Sequence, residues 1–167
     1  ELYDHKGENG FKGAKNSSEW TGKKEAQPFF GQIQLRGDTY SDPPDLVDPA
    51  AVPVPPYYPD HEVYHKEIAH HYNTILKLDE ILGDIINKLK EDGLYENTVV
   101  FFFSDHGMRL PRHKQFLYEG GIRVPLIIAG PGIPVNQVRK DLVSGIDISA
   151  TTLNLAGIDI PDHMHGM

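Results

Sequence analysis

The chain of 167 residues is long enough for one domain with a buried core. Its 24 acidic residues outnumber its 16 basic ones, and the resulting net charge of -8 disfavours nucleic acid as a partner. The absence of cysteine excludes disulfides, thiol nucleophiles and cysteine-bound zinc, and no apolar run reaches the roughly 20 residues that a membrane span requires.

The first third of the chain is poor in regular patterns. Residues 1–27 are polar and lack periodicity, which predicts irregular surface structure. The segment "PFFGQIQL" (28–35) alternates in hydrophobicity and predicts a core strand. Residues 41–60 contain seven of the chain's 13 prolines, which prevent a helix or a central strand. This segment is either an interdomain linker or a long loop at the rim of a cleft, and we favour the loop.

A long amphipathic helix is predicted next. Apolar residues recur at helical spacing from Ile68 to Leu89, Asp60 stands where an N-cap is expected, and Gly93 marks the end. Four histidines lie near the start of this helix: His61, His65, His70 and His71. They are either part of a metal site or a solvated helix end, and the second interpretation is favoured because no carboxylate is spaced to complete a site.

Two continuous apolar runs predict the sheet. "ENTVVFFFS" (96–104) and "VPLIIAG" (124–130) have the length and composition of parallel strands covered on both faces. A last helix is predicted to start with Asp147 as its N-cap and to stop at Gly157. The order of elements predicts an α/β fold, with a mostly parallel sheet flanked by helices in a single domain over residues 1–167.

The first of these strands ends abruptly in "SDHG". In open α/β sheets, ligands bind outside the carboxyl ends of the strands. Asp105 offers oxygen ligands to a divalent cation, His106 offers a nitrogen, and Gly107 permits a sharp turn. The pattern fits a pair of metal ligands. It fits equally a turn in which Asp105 is a cap and His106 a surface imidazole.

The loop after this turn is rich in cationic and donor side chains. Four of them follow the carboxylate within ten residues: Arg109, Arg112, His113 and Lys114. Such a group suits a tetrahedral oxyanion, and a solvated basic loop is the alternative. Further on, Gly120 and Gly121 in "YEGG" predict a turn with unusual backbone angles.

At these residues the chain resembles a known family. "SDHG", then Lys114 and "LYEGGIRVPLIIAGPG", are similar to the second half of the catalytic domain of type I sulfatases, in the alkaline phosphatase superfamily. "PFF", "EDGLYENTVV" and "DISATTLNLAGI" match in the same order, so that the likeness covers roughly residues 28–160. The resemblance implies an alkaline-phosphatase-like α/β domain that is incomplete here, with its amino-terminal part as the missing partner.

The resemblance also implies an activity. A formylglycine beside a calcium ion would hydrolyse a sulfate ester or sulfamate, and the substrate would be a sulfated small molecule or glycan. Asp105 matches the family's calcium-binding aspartate, and His106 matches the neighbouring position that faces the metal and the sulfate. Lys114 matches the lysine that neutralises the sulfate oxygens, which makes Lys114 and His106 the implied catalytic residues. Arg112 and His113 are further candidate sulfate contacts, and a periplasmic or secreted location is implied.

Two features depart from the family pattern. The nucleophile motif (Cys or Ser, x, Pro, x, Arg) is absent, since the chain has no cysteine and "SDPPD" lacks the arginine. "LRGDTY" occupies the place of a histidine expected after "PFF", which leaves Arg36 or His61 as substitutes. The simplest explanation is that the chain is the carboxyl part of a larger catalytic domain. We expect this part alone to be inactive and to bind calcium weakly, because the parts of an active site act as a unit.

Two other functions fit part of the pattern. A metal-dependent phosphodiesterase or nucleotide pyrophosphatase of the same superfamily also carries "SDHGM" and would bind zinc through Asp105 and His106. A non-catalytic module would use Arg112, His113 and Lys114 to hold a sulfated glycan. The phosphodiesterase or pyrophosphatase would differ from a sulfatase in its metal ion. The non-catalytic module would differ in having no upstream nucleophile.

Overall fold

A computed structural model describes residues 28–35 and 43–167 of the chain. They fall into two compact units, one ending at Thr98 and the other beginning at Val99. The first unit contains helix α1 (Glu62–Glu91) and two short 3-10 turns (Pro49–Ala51 and Tyr95–Asn97). The second contains strand β1 (Val100–Phe103), helix α2 (Glu119–Ile122), strand β2 (Leu126–Ala129) and helix α3 (Gly145–Leu155). The predicted irregular structure of residues 1–27 lies outside the described residues.

Helix α1 confirms the periodicity seen in the sequence. Ile68 and Leu89 of the predicted apolar stripe are buried, whereas Tyr72 and Ile75 of the same stripe are partly exposed. The predicted N-cap is displaced by one residue, because His61 rather than Asp60 caps the helix, accepting the amide of Val63 at Nδ1 (3.2 Å). None of the helices in the described parts of the chain combines the length and apolarity that crossing a membrane requires.

The proline-rich segment lies against α1 in the first unit and is tied to it at two points. The side-chain oxygen of the buried Asn73 accepts the amides of Leu46 (3.0 Å) and Val47 (2.9 Å). His65 contacts the carbonyl of Pro49 through Nδ1 (3.0 Å) and the carboxylate of Asp60 through Nε2 (2.7 Å). The hydrogen bond to Asp60 raises the pKa of His65 above its ordinary value. Both partners accept, so the doubly protonated ring satisfies them together.

The strand predicted at residues 28–35 is absent, and the segment has no regular structure. Phe30, whose side chain the alternation assigned to a core, is exposed. Alternating hydrophobicity defines two faces of an extended segment, but a strand also needs a neighbouring strand to pair its backbone groups. The prediction of a core strand was wrong for this segment as the structure describes it.

The two strands pair in the antiparallel direction, which corrects the predicted parallel arrangement of these segments. Val100 lies opposite Ala129, and Phe103 opposite Leu126. The connecting residues 104–125 form a loop with only the short α2, whereas a parallel pair needs a crossover that returns the chain to the same end of the sheet. The strands are also not covered on both faces, since Phe103 is 48% exposed and Ile127 58% exposed.

Helix α3 begins three residues earlier than predicted. Ser144 is the N-cap, and Asp147 is the third helical residue, whose carboxylate accepts the amide of Ser144 (2.7 Å) and that of Met167 (3.0 Å). These two hydrogen bonds lower the pKa of Asp147. The predicted stop is confirmed, because Gly157 follows the helix with a left-handed φ of +69° that suits glycine.

Candidate active site

The turn after β1 holds the carboxylate and imidazole that the sequence singled out. The amide of Ser104 donates to the carbonyl of Pro125 (3.3 Å), which extends the pairing of the strands by one bond. The hydroxyl of Ser104 donates to the carbonyl of His106 (2.7 Å) and so closes the turn. The side chain of Asp105 projects outward and is 82% exposed. Its oxygens are therefore available to a ligand.

The orientation of His106 is fixed by its own neighbour. Its Nδ1 lies 2.7 Å from the carbonyl oxygen of Gly107, which only accepts, so Nδ1 carries the proton. In the neutral ring, Nε2 then carries the lone pair, and it lies 3.6 Å from Oδ1 of Asp105. Metal-binding histidines are commonly oriented in this way, by a carbonyl that accepts the proton of the other nitrogen.

Backbone hydrogen bonds bring the basic loop back to this turn. The amide of Gly107 donates to the carbonyl of Gly121 (3.3 Å), and the amide of Lys114 donates to the carbonyl of Met108 (3.1 Å). The backbone of Lys114 is therefore hydrogen-bonded to Met108, which follows Asp105 by three positions. The residue is partly buried. The structure thus brings the backbone of Lys114 together with the Asp105–His106 turn.

Gly107, Gly120 and Gly121 allow these backbone segments to approach each other. They do so because they have no side chain, not because they adopt unusual φ angles. A Cβ on Gly107 would lie 1.7 Å from the carbonyl oxygen of Gly120, and one on Gly121 would lie 2.0 Å from that of Phe116. The sequence suggested unusual backbone angles at Gly120 and Gly121, but neither residue adopts a left-handed φ. The left-handed residues of this loop are Arg112 (φ 69°) and Gln115 (φ 71°), which the sequence did not indicate.

The other basic residues of the loop differ in exposure. Arg112 is exposed, and its guanidinium lies over the ring of Tyr118, 4.6 Å from the ring centre. This cation–π contact holds the charge at the surface. Arg109 is also exposed. His113, in contrast, is only 6% exposed, which leaves it little surface for contact with a substrate.

The donor atoms at the turn fit part of a metal site. Two ligands bound to one cation at about 2.0–2.6 Å lie roughly 3–4 Å apart, and the Asp105–His106 separation falls in that range. Within residues 28–35 and 43–167, no group of three or more such side chains comes close enough to enclose an ion. Asp105 and His106 can therefore contribute to a site for a divalent cation that other ligands would have to complete.

Two residues were proposed to replace the expected histidine, Arg36 and His61. Arg36 lies outside the described residues. His61 belongs to the first unit, where its Nδ1 accepts a hydrogen bond at the start of α1. The neighbouring His65 is engaged by Asp60 and Pro49. His61 and His65 therefore have structural contacts of their own.

Comparison with known proteins identifies the family. The sulfatase family model matches residues 10–158, most of the chain. The chain belongs to the sulfatase family. It is 34% identical over 114 residues to an ulvan-active sulfatase of Formosa agariphila, which covers 68% of this chain and 19% of that protein.

Two mammalian sulfatases are also similar to this chain. Arylsulfatase K of Bos taurus is 40% identical over 102 residues, which are 59% of this chain and 19% of the relative. N-acetylglucosamine-6-sulfatase of Homo sapiens is 39% identical over 102 residues, which are 58% of this chain and 18% of the relative. The matched region thus spans about a fifth of the length of these curated relatives. Membership in this family, whose domains have an α/β fold, agrees with the helices and strands of the structure.

Proposed function

We propose that the full-length protein containing this chain is a sulfuric ester hydrolase that removes sulfate from a sulfated carbohydrate. The observation that carries the proposal is the Lys114–Met108 hydrogen bond of 3.1 Å, which ties an ammonium-bearing residue to the Asp105–His106 turn. Family membership supplies the reaction class. A carbohydrate substrate is supported by relatives named for ulvan and for N-acetylglucosamine 6-sulfate chemistry.

In this proposal Asp105 is a direct metal ligand, and His106 lies next to the metal and the sulfate. Calcium is the favoured ion because Asp105 offers oxygen, and zinc is the alternative because His106 offers nitrogen. When bound, the cation would supply positive charge that polarises the sulfuryl oxygens. The remaining ligands and the formylglycine nucleophile belong to the amino-terminal part of the domain, which is the partner of this chain.

Lys114 is proposed to neutralise the charge that accumulates on the sulfate oxygens during transfer. The residue is partly buried, and its ammonium group would act through a lower effective dielectric constant where bound substrate excludes water. Exposed Arg112 would attract the anion to the loop, while its contact with Tyr118 keeps its position defined. His113, being buried, is proposed to act through the protein rather than on the substrate.

The test is the activity of the full-length protein with an aryl sulfate. We expect Lys114→Ala to lower kcat/KM by about 100-fold to 1,000-fold, the usual loss when one group stabilising an oxyanion is removed. Lys140→Ala, at an exposed lysine elsewhere in the same unit, is the matched control and should behave as the wild type. Unchanged kcat/KM in Lys114→Ala would contradict the role of Lys114.

Metal content separates the proposed enzyme from the related phosphodiesterases. Elemental analysis of the full-length protein should find calcium, which Asp105→Asn should reduce. Zinc together with turnover of a phosphate diester would favour the phosphodiesterase. Binding of a sulfated glycan without turnover would favour the non-catalytic module.

A further inference from the structure

His113 is a buried residue within an exposed loop. It is 6% exposed, while its neighbours Arg112 and Gln115 are both exposed. Burying an imidazole removes its ring nitrogens from water, which is unfavourable unless the protein compensates. The burial of His113 therefore indicates that its ring packs against other parts of the loop.

The ring of His113 lies against the backbone of Gly120. A Cβ added there would lie 2.5 Å from Cε1, 2.6 Å from Nδ1 and 2.7 Å from Nε2 of the imidazole. The carbonyl of His113 accepts the amide of Phe116 (3.0 Å) and would lie 2.3 Å from a Cβ on Gly121. Both the side chain and the backbone of His113 therefore fill the space that the two glycines leave.

The backbone on either side of His113 and Lys114 is in a conformation that ordinary residues avoid. Arg112 and Gln115 flank the pair with φ values of 69° and 71°. Non-glycine residues keep such angles only where the surrounding structure imposes them. Among the contacts that surround these two residues are the packing of His113 against Gly120 and the hydrogen bond from Lys114 to Met108.

We propose that His113 is a positioning residue that acts through Lys114. Its buried imidazole fixes the backbone from which the Lys114 side chain leaves, where the amide of Lys114 donates to the carbonyl of Met108. The effect on catalysis rests on the proposed function of Lys114. The effect on the loop itself does not.

A double-mutant cycle in the full-length protein tests the catalytic part. We expect His113→Ala to lower kcat/KM for an aryl sulfate by about 10-fold to 100-fold, the usual loss when a supporting residue is removed. In the Lys114→Ala background the same change should cause no further loss, because the residue through which it acts is gone. Losses that multiply in the double variant would overturn the proposal.

Hydrogen exchange of the same variants tests the positioning without relying on turnover. His113→Ala should speed exchange at the amides of Lys114 and Phe116 and leave the amides of β1 unchanged. His113→Gln should restore part of the protection, and His163→Ala, at an exposed histidine outside the loop, should match the wild type. Unchanged exchange in the loop, or a uniform increase through the second unit, would overturn the proposal.

The two experiments also separate this proposal from the proposed function. A wild-type protein that hydrolyses no sulfate ester, or a Lys114→Ala variant with full activity, contradicts the proposed function. Local loosening of the loop in His113→Ala would still support the positioning role in those cases.

Discussion

At the scale of single residues, the loop between the strands depends on glycines, which have no Cβ atom. Gly107, Gly120 and Gly121 each stand where a methyl group would overlap a neighbouring atom. In two of these places the neighbour is a backbone carbonyl, which cannot rotate away as a side chain can. Gly120 faces a side chain, but a buried one. The close approach therefore depends on these glycines.

We predict that Gly120→Ala destabilises the protein by about 1–3 kcal/mol, the usual range for overpacking a well-filled site. The added Cβ would overlap the ring of His113, and that ring has no free space to enter because it is already buried. Urea unfolding measures the change.

Gly83→Ala is the matched control for this substitution. Gly83 lies on the exposed side of α1, and a new Cβ there would meet no atom within 4 Å beyond its chain neighbours and the nearby backbone of the helix. Alanine should therefore stabilise the helix by about 0.5–1 kcal/mol. Equal effects of the two substitutions would contradict the packing argument.

At the scale of elements, the proline-rich segment owes its position to α1. Asn73 presents one oxygen to two successive amides, and His65 bridges Pro49 and Asp60. Prolines leave few backbone donors in this segment, so the remaining amides of Leu46 and Val47 matter more. Side chains of α1 thus hold the backbone of the proline-rich segment in place through hydrogen bonds.

We predict that Asn73→Ala costs about 1–3 kcal/mol, because it leaves the amides of Leu46 and Val47 without their acceptor. The free energy of urea unfolding measures the loss. Asn87→Ala, at an exposed asparagine of the same helix, should change stability little or raise it slightly, because alanine favours helices. Accelerated hydrogen exchange confined to residues 46 and 47 would support the assignment, and none there would contradict it.

The pair of His65 and Asp60 predicts a pH dependence. The pKa of His65 is raised above its ordinary 6.5 in the folded protein, so its contribution to stability is complete below that value and is lost as pH rises through the raised pKa. Asp60→Asn should flatten this part of the profile of unfolding free energy against pH. The exposed Asp162→Asn should not. Parallel profiles for the wild type and Asp60→Asn would contradict the prediction.

The sequence predicted where most helices and strands lie along the chain better than it predicted how they pair and which side chains they bury. The spacing of apolar residues predicted α1, because that periodicity follows from helix geometry, and two continuous apolar runs predicted β1 and β2. The alternation at residues 28–35 wrongly predicted a strand. The sequence could not predict the direction of pairing, since an apolar run reads the same in either direction. The burial of His113 was also beyond prediction, because it arises from contacts with residues seven and eight positions further on. The hypothesis that Asp105 and Lys114 belong to one site, which binds a metal ion and a sulfate group, remains a prediction.

At the scale of the whole molecule, the second unit exposes apolar surface on both of its strands. Phe103 and Ile127 are about half exposed, and so are Ile146 and Leu155 of α3. Sheets in α/β proteins ordinarily cover such side chains with further elements. The matched region covers only about a fifth of each relative, which agrees with a core that other parts of a sulfatase domain would complete.

We predict that the 167-residue chain produced alone hydrolyses no aryl sulfate. In the proposed function the nucleophile and the remaining metal ligands come from the amino-terminal part of the domain, and residues 28–35 and 43–167 hold no group of three metal-binding side chains. The chain alone should also bind a hydrophobic dye through its exposed strands, and calorimetric titration should show only weak calcium binding. Turnover by this chain alone would contradict the prediction. The full-length protein, which should bind less dye per molecule, is the control.

The left-handed conformation at Gln115 changes which substitutions the loop tolerates. A swap to isoleucine, which resembles glutamine in size, would force a β-branched side chain into a backbone region that it strongly avoids. Glycine, which removes the whole side chain, would fit that region without cost. Substitutions at Gln115 should therefore be chosen for their compatibility with a positive φ rather than for their similarity in size to glutamine.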